Sequence, residues 1–443
     1  MRQVDVAVLG GGPAGLFAAY ALLGSGLDVA LIDRGGEPSS RSHISYGIGG
    51  AGAFSDGKLN LTPDIGGDPA SLGRSGAEVQ EYIDRVDAVF TQFGAPAKYS
   101  GEDPDAIADL GGRAARCGIE FISGRQRHMG TANVRSIIDR FYRHLVEHGV
   151  VGILDCRVTG LRQDKEGFLL SGSEEVSARF VVAAPGRAGA YWLREEATQI
   201  GIATEYGPID VGVRVEFPAE VYDPIERVMY DAKFRVRTRT YDDMVRTFCT
   251  NPRGFVVREP YEEFSLVNGH AENDTKTQNT NVALLSHIAL TNPVEDTTEY
   301  GRAIAKLATT IGGGRPLVQR LKDLKAGRRS TAARLRRTTI APTLDDATPG
   351  DISMALPNRV TVNLLEGLDK LDEIMPGLVS DNTLLYAPEI KFYDTRYPVS
   401  RSMETPVNGL FVAGDASGHC RGIVYSAISG LIAGEAIRDR AAA

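Results

Sequence analysis

The sequence predicts an α/β fold in which a discontinuous, Rossmann-like nucleotide domain is assembled from both chain ends around an inserted sheet-rich domain. Three observations predict it. A short apolar strand runs straight into Gly10-Gly11-Gly12-Pro13-Ala14-Gly15, a second glycine-rich strand-to-helix turn spans Gly414 to Gly422 near the other end, and the middle of the chain reads as strands. The 443 residues carry 42% hydrophobic and 24% charged side chains, the proportions of a globular protein of two or three domains at roughly 150 residues each.

The first element, Val4 to Leu9, is a largely apolar run of the kind buried in parallel sheets. The glycines that follow have the spacing G-x-G-x-x-G. Gly10 permits the tight turn, Gly12 lets a pyrophosphate approach the backbone, and Gly15 lets helix and strand pack closely. Pro13 and Ala14 open the helix; a proline costs nothing there because its missing N–H has no intrahelical partner. The free N–H groups and the dipole at that helix start attract phosphate. A second strand, Asp28 to Ile32, ends in Asp33 and Arg34, at about the ~20-residue distance expected for a carboxylate on a ribose hydroxyl. An acid there disfavours a 2′-phosphate, leaving FAD or NAD as the dinucleotide.

The C-terminal turn decides for FAD. Gly409 to Ala413 is a strand ending in Gly414-Asp415, followed by Gly418, Gly422 and a helical run from Ile423. A flavoprotein uses such an acid on a ribityl hydroxyl, and the helix start at Gly422 and Ile423 faces the pyrimidine edge of the flavin, where its dipole stabilises negative charge. Arg179 to Ala184 reads as a third buried strand, ending in a tight turn at Pro185-Gly186. Val211 to Phe217 alternates with period two and opens the sheet-rich middle.

Composition excludes other classes. A net charge of −8 argues against a nucleic-acid binder. Cys117, Cys156, Cys249 and Cys420 form no C-x-x-C pair and no metal-type cluster, so neither a metal site nor a redox dithiol is expected. No run of ~20 apolar residues suits a membrane span, and the expected compartment is the cytoplasm. Gly312-Gly313-Gly314 follows no clear strand, so no second nucleotide motif is expected; electrons must come from the substrate, a partner, or NAD(P)H docking transiently.

Several segments together resemble the FAD-dependent dehydrogenases of the glutathione-reductase-type superfamily, within a bacterial and archaeal group related to geranylgeranyl reductases and aromatic hydroxylases. They are Gly49 to Leu59, Arg246-Thr247-Phe248-Cys249, Val267-Asn268-Gly269-His270, Gly312 to Pro316, Pro388-Glu389-Ile390-Lys391-Phe392, and Gly414-Asp415 with Arg421-Gly422-Ile423. The resemblance implies an FAD domain of residues 1–75, 126–205 and 365–443, a helical insertion at 76–125 and a substrate or cap domain at 206–364. It also implies that the loop from Gly49 to Lys58 runs beside the cofactor, making Gly50, Ser55 and Lys58 flavin neighbours. Proline at position 185 departs from the family's usual Ala-Thr-Gly ending.

Candidate catalytic residues follow. His419 and Cys420 lie between the glycines of the C-terminal turn; a cysteine at a helix start can have a lowered pKa, and a histidine can exchange a proton near neutral pH. Lys391 and Tyr393 share one face of a strand at period two and could polarise a carbonyl or move a proton. His43 and Cys420 are conceivable points of covalent flavin attachment, with noncovalent binding the default. Two basic stretches, Lys233 to Arg239 and Lys325 to Arg337, could hold an anionic substrate or NAD(P)H phosphates or be solvated faces. The expected function is an oxidoreductase moving a hydride between a small organic substrate and flavin N5, forming or reducing a C–C or C–N double bond. Alternatives are an NAD(P)H-dependent flavin hydroxylase and a non-enzymatic binding protein of the same fold.

Overall fold

The computed structural model describes residues 1–41, 43, 46–55, 57–272, 275–291, 296–392 and 395–442. The chain forms two compact units, one of residues 1–98, 127–205 and 394–443, the other of residues 99–126 and 206–393.

The first unit is built on a seven-stranded sheet. Its parallel core runs Val151–Ile153, Val29–Ile32, Arg2–Leu9, Val176–Ala183. The outer edge of Val176–Ala183 is shared. Phe168–Gly172 pairs with its first half in antiparallel fashion, while Leu410–Val412 pairs with Val181, Val182 and Ala183 in parallel. Near-continuous apolar sequence is what a strand covered on both faces requires, and Val6 to Leu9 and Val29 to Ile32 are all buried. The helix Pro13–Ala21 lies against the C-terminal helix Gly422–Ala442. Their backbones approach so closely that a side chain at Gly430 would strike the carbonyl of Ala14, and one at Gly434 would press on Ala18. Small residues on both helices permit that distance.

The helix Gly76–Gln92 belongs to this unit and not to a separate helical insertion. A capping box of Ser75 and Glu78 starts it. Its Tyr82 hydroxyl donates to Glu435 on the C-terminal helix (2.8 Å), and Arg85 pairs with the same carboxylate. Phe90 and Phe93 join Phe17 and Phe141 in an aromatic cluster with centroid spacings of 4.8–5.4 Å. Buried aromatic area of this kind outweighs the sequence cue of an amphipathic stretch after a glycine-rich loop.

The second unit carries an eight-stranded sheet in the order Thr348–Pro349, Leu317–Arg320, Leu384–Lys391, Ile209–Pro218, Asn279–Ile288, Met244–Asn251, Lys233–Arg237, Ile119–Ile122. The expected boundaries therefore shift. Ile119–Ile122 pairs as the edge strand with Lys233–Val236, so residues 99–126 join this unit. Leu384–Lys391 pairs with the central strand, so residues 365–393 lie here and not in the nucleotide domain. Gly312, Gly313 and Gly314 follow the helix Thr297–Ile311 and precede a strand, the reverse of a nucleotide-binding order. Among the described residues no helix is long and apolar enough to cross a membrane.

The period-two stretch from Val211 to Phe217 is a strand, yet neither face meets water. Val211, Val213, Val215 and Phe217 fill one side; Asp210, Arg214 and Glu216 lie on the other, fully buried. Buried polar groups persist only when hydrogen-bonded, and these are. Glu216 accepts from the hydroxyls of Tyr386 (2.6 Å) and Thr343 (2.5 Å) and from Asn279 (3.1 Å). Burial pushes its carboxyl pKa up despite these donors. At Asp210 burial opposes ionisation, but Arg246 and His287 (2.8 Å to Nδ1) win and hold the carboxyl at about 2. A folded-state pKa below the unfolded value means stability that is present above pH ~4 and lost as pH falls toward 2. Replacing Asp210→Asn is expected to cost about 2 kcal/mol at pH 7. Urea unfolding at pH 7 and pH 2.5 checks this: the substitution should also flatten the acid loss, and an unchanged slope counts against it.

Candidate functional site

Three glycine-rich loops, distant in sequence, meet in the first unit. Gly10 has φ +100° and its N–H donates to the Ile32 carbonyl (2.7 Å); any side chain there would strike the Ala184 carbonyl at the end of the neighbouring strand. A side chain at Gly15 would strike the Gly10 carbonyl. These two glycines are fixed by packing. Gly12 differs. Its backbone is extended (φ −72°, ψ −176°), and a Cβ placed on it would meet only the Gly50 Cα, at 3.9 Å.

The second loop is held on the first. Gly49 N–H donates to the Gly11 carbonyl (2.7 Å), and a side chain at Gly50 would press on Gly12. Asp33 braces both: its carboxylate accepts from the N–H groups of Gly11 (2.7 Å), Gly35 (2.9 Å) and Gly47 (2.7 Å). The carboxylate expected on a ribose hydroxyl is thus mostly committed to its own loops, three of its ~four acceptor positions being taken among the described residues. Arg34 lays its guanidinium 3.6 Å from the Tyr46 ring centroid. Arg41, which sequence reasoning missed, donates to the carbonyls of Gly47 (3.0 Å), Ile48 (2.8 Å) and Gly50 (2.8 Å). Burial lowers its pKa to about 10. Only the folded loop, which points those carbonyls one way, reveals its role.

The third loop comes from the C-terminus. Gly414 N–H donates to Ser429 Oγ (2.8 Å), and Asp415 accepts from Ser426 Oγ (3.0 Å) with Arg187 Nε at 3.6 Å. A side chain at Gly52 would meet Ile423 (3.4 Å) and Pro13 (3.7 Å), so all three loops share one point. A Cβ at Gly186 or at Gly422 would have nothing within 4 Å. The outcome is a cradle open at Gly12, Gly186 and Gly422, with the helices Pro13–Ala21 and Gly422–Ala442 starting beside it. Two helix N-termini and uncrowded backbone suit a pyrophosphate and an anionic ring edge, so these residues fit an FAD.

The candidate catalytic residues fare unequally. Cys420 is not a lowered-pKa thiol. The helix starts two residues later at Gly422, the Cys420 backbone pairs with Gly67 in an isolated antiparallel β-bridge, and full burial pushes its thiol up to about 12. His419 places Nε2 2.8 Å from the Tyr397 carbonyl; burial, with Arg396 and Arg421 nearby, lowers its pKa. Ser55 closes its own turn, donating to Gly52 (2.7 Å) and accepting from Gly57 (3.1 Å). Lys58 is buried in the strand Lys58–Leu61, and His43 stacks on Tyr46. Tyr393 and Asp56 lie outside the described residues.

Lys391 lies in the second unit, where Nζ meets Glu389 Oε1 at 2.9 Å. Glu389 also holds Arg214 (2.8 Å), which donates further to Asn268 Oδ1 (3.0 Å) and the Cys249 carbonyl (2.7 Å). Segments that resembled the family, 246–249, 267–270 and 388–392, thus converge on one buried arginine that the sequence did not single out. The basic stretches are split up. Lys233 pairs with Asp231 (2.6 Å) and Arg235 with Glu120, while Arg320, Arg328 and Arg334 gather on the buried Asp323. Among the described residues no group of three or more His, Cys, Asp or Glu could hold a metal ion.

Comparison with known proteins gives the following. Residues 5–216 match the family model described as FAD dependent oxidoreductase, and residues 208–392 match the one described as FAD-dependent protein, C-terminal domain-like. An uncharacterized protein of Clostridium beijerinckii is 25% identical over 98% of this chain and 80% of its own length. A ferredoxin–NADP reductase of Salinispora tropica is 40% identical over 32% of this chain and 37% of its own. Among solved structures, the 3-ketosteroid-delta4-(5alpha)-dehydrogenase of Rhodococcus jostii aligns over 100% of this chain and 97% of its own, with 16% identity and a TM-score of 0.45. With both matches, over residues 5–216 and 208–392, describing FAD-dependent proteins, and a cradle that suits the cofactor, the protein is an FAD-dependent oxidoreductase.

Proposed function

We propose that the enzyme is a dehydrogenase of the glutathione-reductase-type superfamily acting on a small organic substrate, forming a C–C or C–N double bond. The cradle open at Gly12, Gly186 and Gly422 carries this reading. FAD, when bound, supplies the redox chemistry by accepting the substrate's hydride at N5. The protein's share is placement. Gly12, Pro13, Ala14 and Gly50 would hold the pyrophosphate, Asp33 and Arg34 the adenosine side, Asp415 a ribityl hydroxyl, and Gly422 and Ile423 the pyrimidine edge. His419, bonded to the Tyr397 carbonyl, offers that end of the site a ring held in place, whose protonation burial disfavours.

Thiol chemistry gains no support. All four cysteines are unpaired, and Cys420, next to the cradle, is held as a protonated thiol. Free thiols also favour a cytoplasmic setting. The test is an anaerobic visible spectrum of the purified holoenzyme mixed with NADH or NADPH. The oxidised-flavin band is expected to persist. Rapid bleaching would replace this reading with a nicotinamide-fed reductase or hydroxylase, the direction in which the partial likeness to a ferredoxin–NADP reductase points.

A further inference from the structure

Around Phe248 in the second unit the charges do not balance. Its half-buried ring has three cations within reach of its centroid: Lys233 Nζ at 5.2 Å, Arg246 at 5.3 Å and Lys391 Nζ at 5.5 Å. Lys233 is matched by Asp231 (2.6 Å) and Arg246 by Asp210. Lys391 shares its acid. The single Glu389 carboxylate serves both Lys391 (2.9 Å) and Arg214 (2.8 Å). Among the described residues, four cations against three carboxylates leave one excess positive charge. Beyond them lie His287, bound to Asp210, and Glu259, which is half-buried and reached from Arg214 only through the Asn268 amide (3.0 Å, then 3.3 Å).

An ammonium with 10% of its side chain exposed is costly unless matched. Of its three donors Glu389 takes one. The Phe248 ring lies 5.5 Å from Lys391 Nζ, and Arg246, whose side chain is 25% exposed, lies against the same ring. A monoanion with an apolar body fits such surroundings better than a dianion, since one charge is what the cluster lacks.

We propose that Lys391, with Phe248 beside it, recognises the carboxylate of a small organic acid, making a carboxylate the substrate class of this oxidoreductase. The inference rests on the reading of the protein as an enzyme of small organic substrates, but it is tested without turnover. Isothermal titration calorimetry of the oxidised holoenzyme with sodium benzoate, neutral benzamide and inorganic phosphate separates the possibilities. Benzoate is expected to bind at least tenfold more tightly than either of the others. Lys391→Met should weaken benzoate at least tenfold while retaining flavin, and Lys391→Arg should stay within threefold of the parent. Phe248→Leu is a milder change that keeps all four cations; it should weaken benzoate three- to tenfold, so the test holds even where Lys391→Met fails to fold. Absence of benzoate binding, equal affinity for benzamide, tighter binding of phosphate, or a benzoate affinity untouched by these substitutions overturns the proposal. Bleaching by NADPH would remove the dehydrogenase reading yet leave this binding result standing.

Discussion

A Gly12→Val enzyme is expected to fold and to be purified without its flavin. Gly12 has an extended backbone that any residue adopts, and its missing side chain points at open space bordered only by the Gly50 Cα. A Cβ there is clear of the protein, and the isopropyl group it carries would occupy the approach to the free N–H groups at the start of the helix Pro13–Ala21. A loss of FAD affinity of at least ~100-fold, about 2.7 kcal/mol, is the expected size. Gly15→Ala supplies the contrast. Its methyl group would strike the Gly10 carbonyl in the strand-to-helix crossing, so that variant should fail to fold. Circular dichroism with flavin absorbance per mole of protein reads both results. A yellow Gly12→Val protein would remove the pyrophosphate from this loop.

The second large effect belongs to Glu389, the carboxylate that Arg214 and Lys391 share while both it and Arg214 are fully buried. Glu389→Gln preserves shape and leaves two cations facing an amide. Breaking a buried pair by removing one partner typically costs about 3–5 kcal/mol, and that loss is expected in urea unfolding at pH 7. Charge counting then orders the relatives. The excess positive charge on this trio is one in the native protein, two in Glu389→Gln, one again in the double variant with Arg214→Met, and none in Arg214→Met alone. The double variant should therefore recover part of the loss. Arg214→Met alone should cost less, about 1–3 kcal/mol, for orphaning the Cys249 carbonyl and the Asn268 amide oxygen. An Arg214→Met protein less stable than Glu389→Gln would show that hydrogen bonding, not charge, holds this cluster.

These two residues mark the limits of what the chain reveals before it folds. Gly12 is legible because its task is local: strand, glycines and helix follow one another within a few residues, and the spacing itself encodes the turn. Arg214 is illegible because its partners lie 35, 54 and 175 positions away, and nothing in a period-two strand announces that its polar face is covered. The same blindness to coverage misled the reading of Cys420, where position near a helix suggested a reactive thiol and burial made an inert one. Domain limits failed for a related reason. Ile119–Ile122 is four residues long, and its membership of the second sheet is decided by pairing with Lys233–Val236, not by its own pattern. Gly76–Gln92, read as part of an insertion, is instead fastened by Phe90 and Arg85 to helices at the two extremes of the chain.

The shared edge of Val176–Ala183 has a consequence for the order in which a ribosome delivers the protein. Val181, Val182 and Ala183 wait for Leu410, Phe411 and Val412, which are made more than two hundred residues later, a delay of roughly 10–45 s at ~5–20 residues per second. Throughout that interval the nascent nucleotide domain presents a half-strand of bare N–H and C=O groups, a template for stray pairing. It also lacks the helix that covers Ala14 and Ala18. The intervening sheet-rich unit can mature meanwhile, since its residues are contiguous apart from 99–126. On the placement proposed for the cofactor its capture waits for the C-terminal segment, and a nascent chain stalled before residue 410 is expected to carry its first glycine motif intact and still bind no flavin.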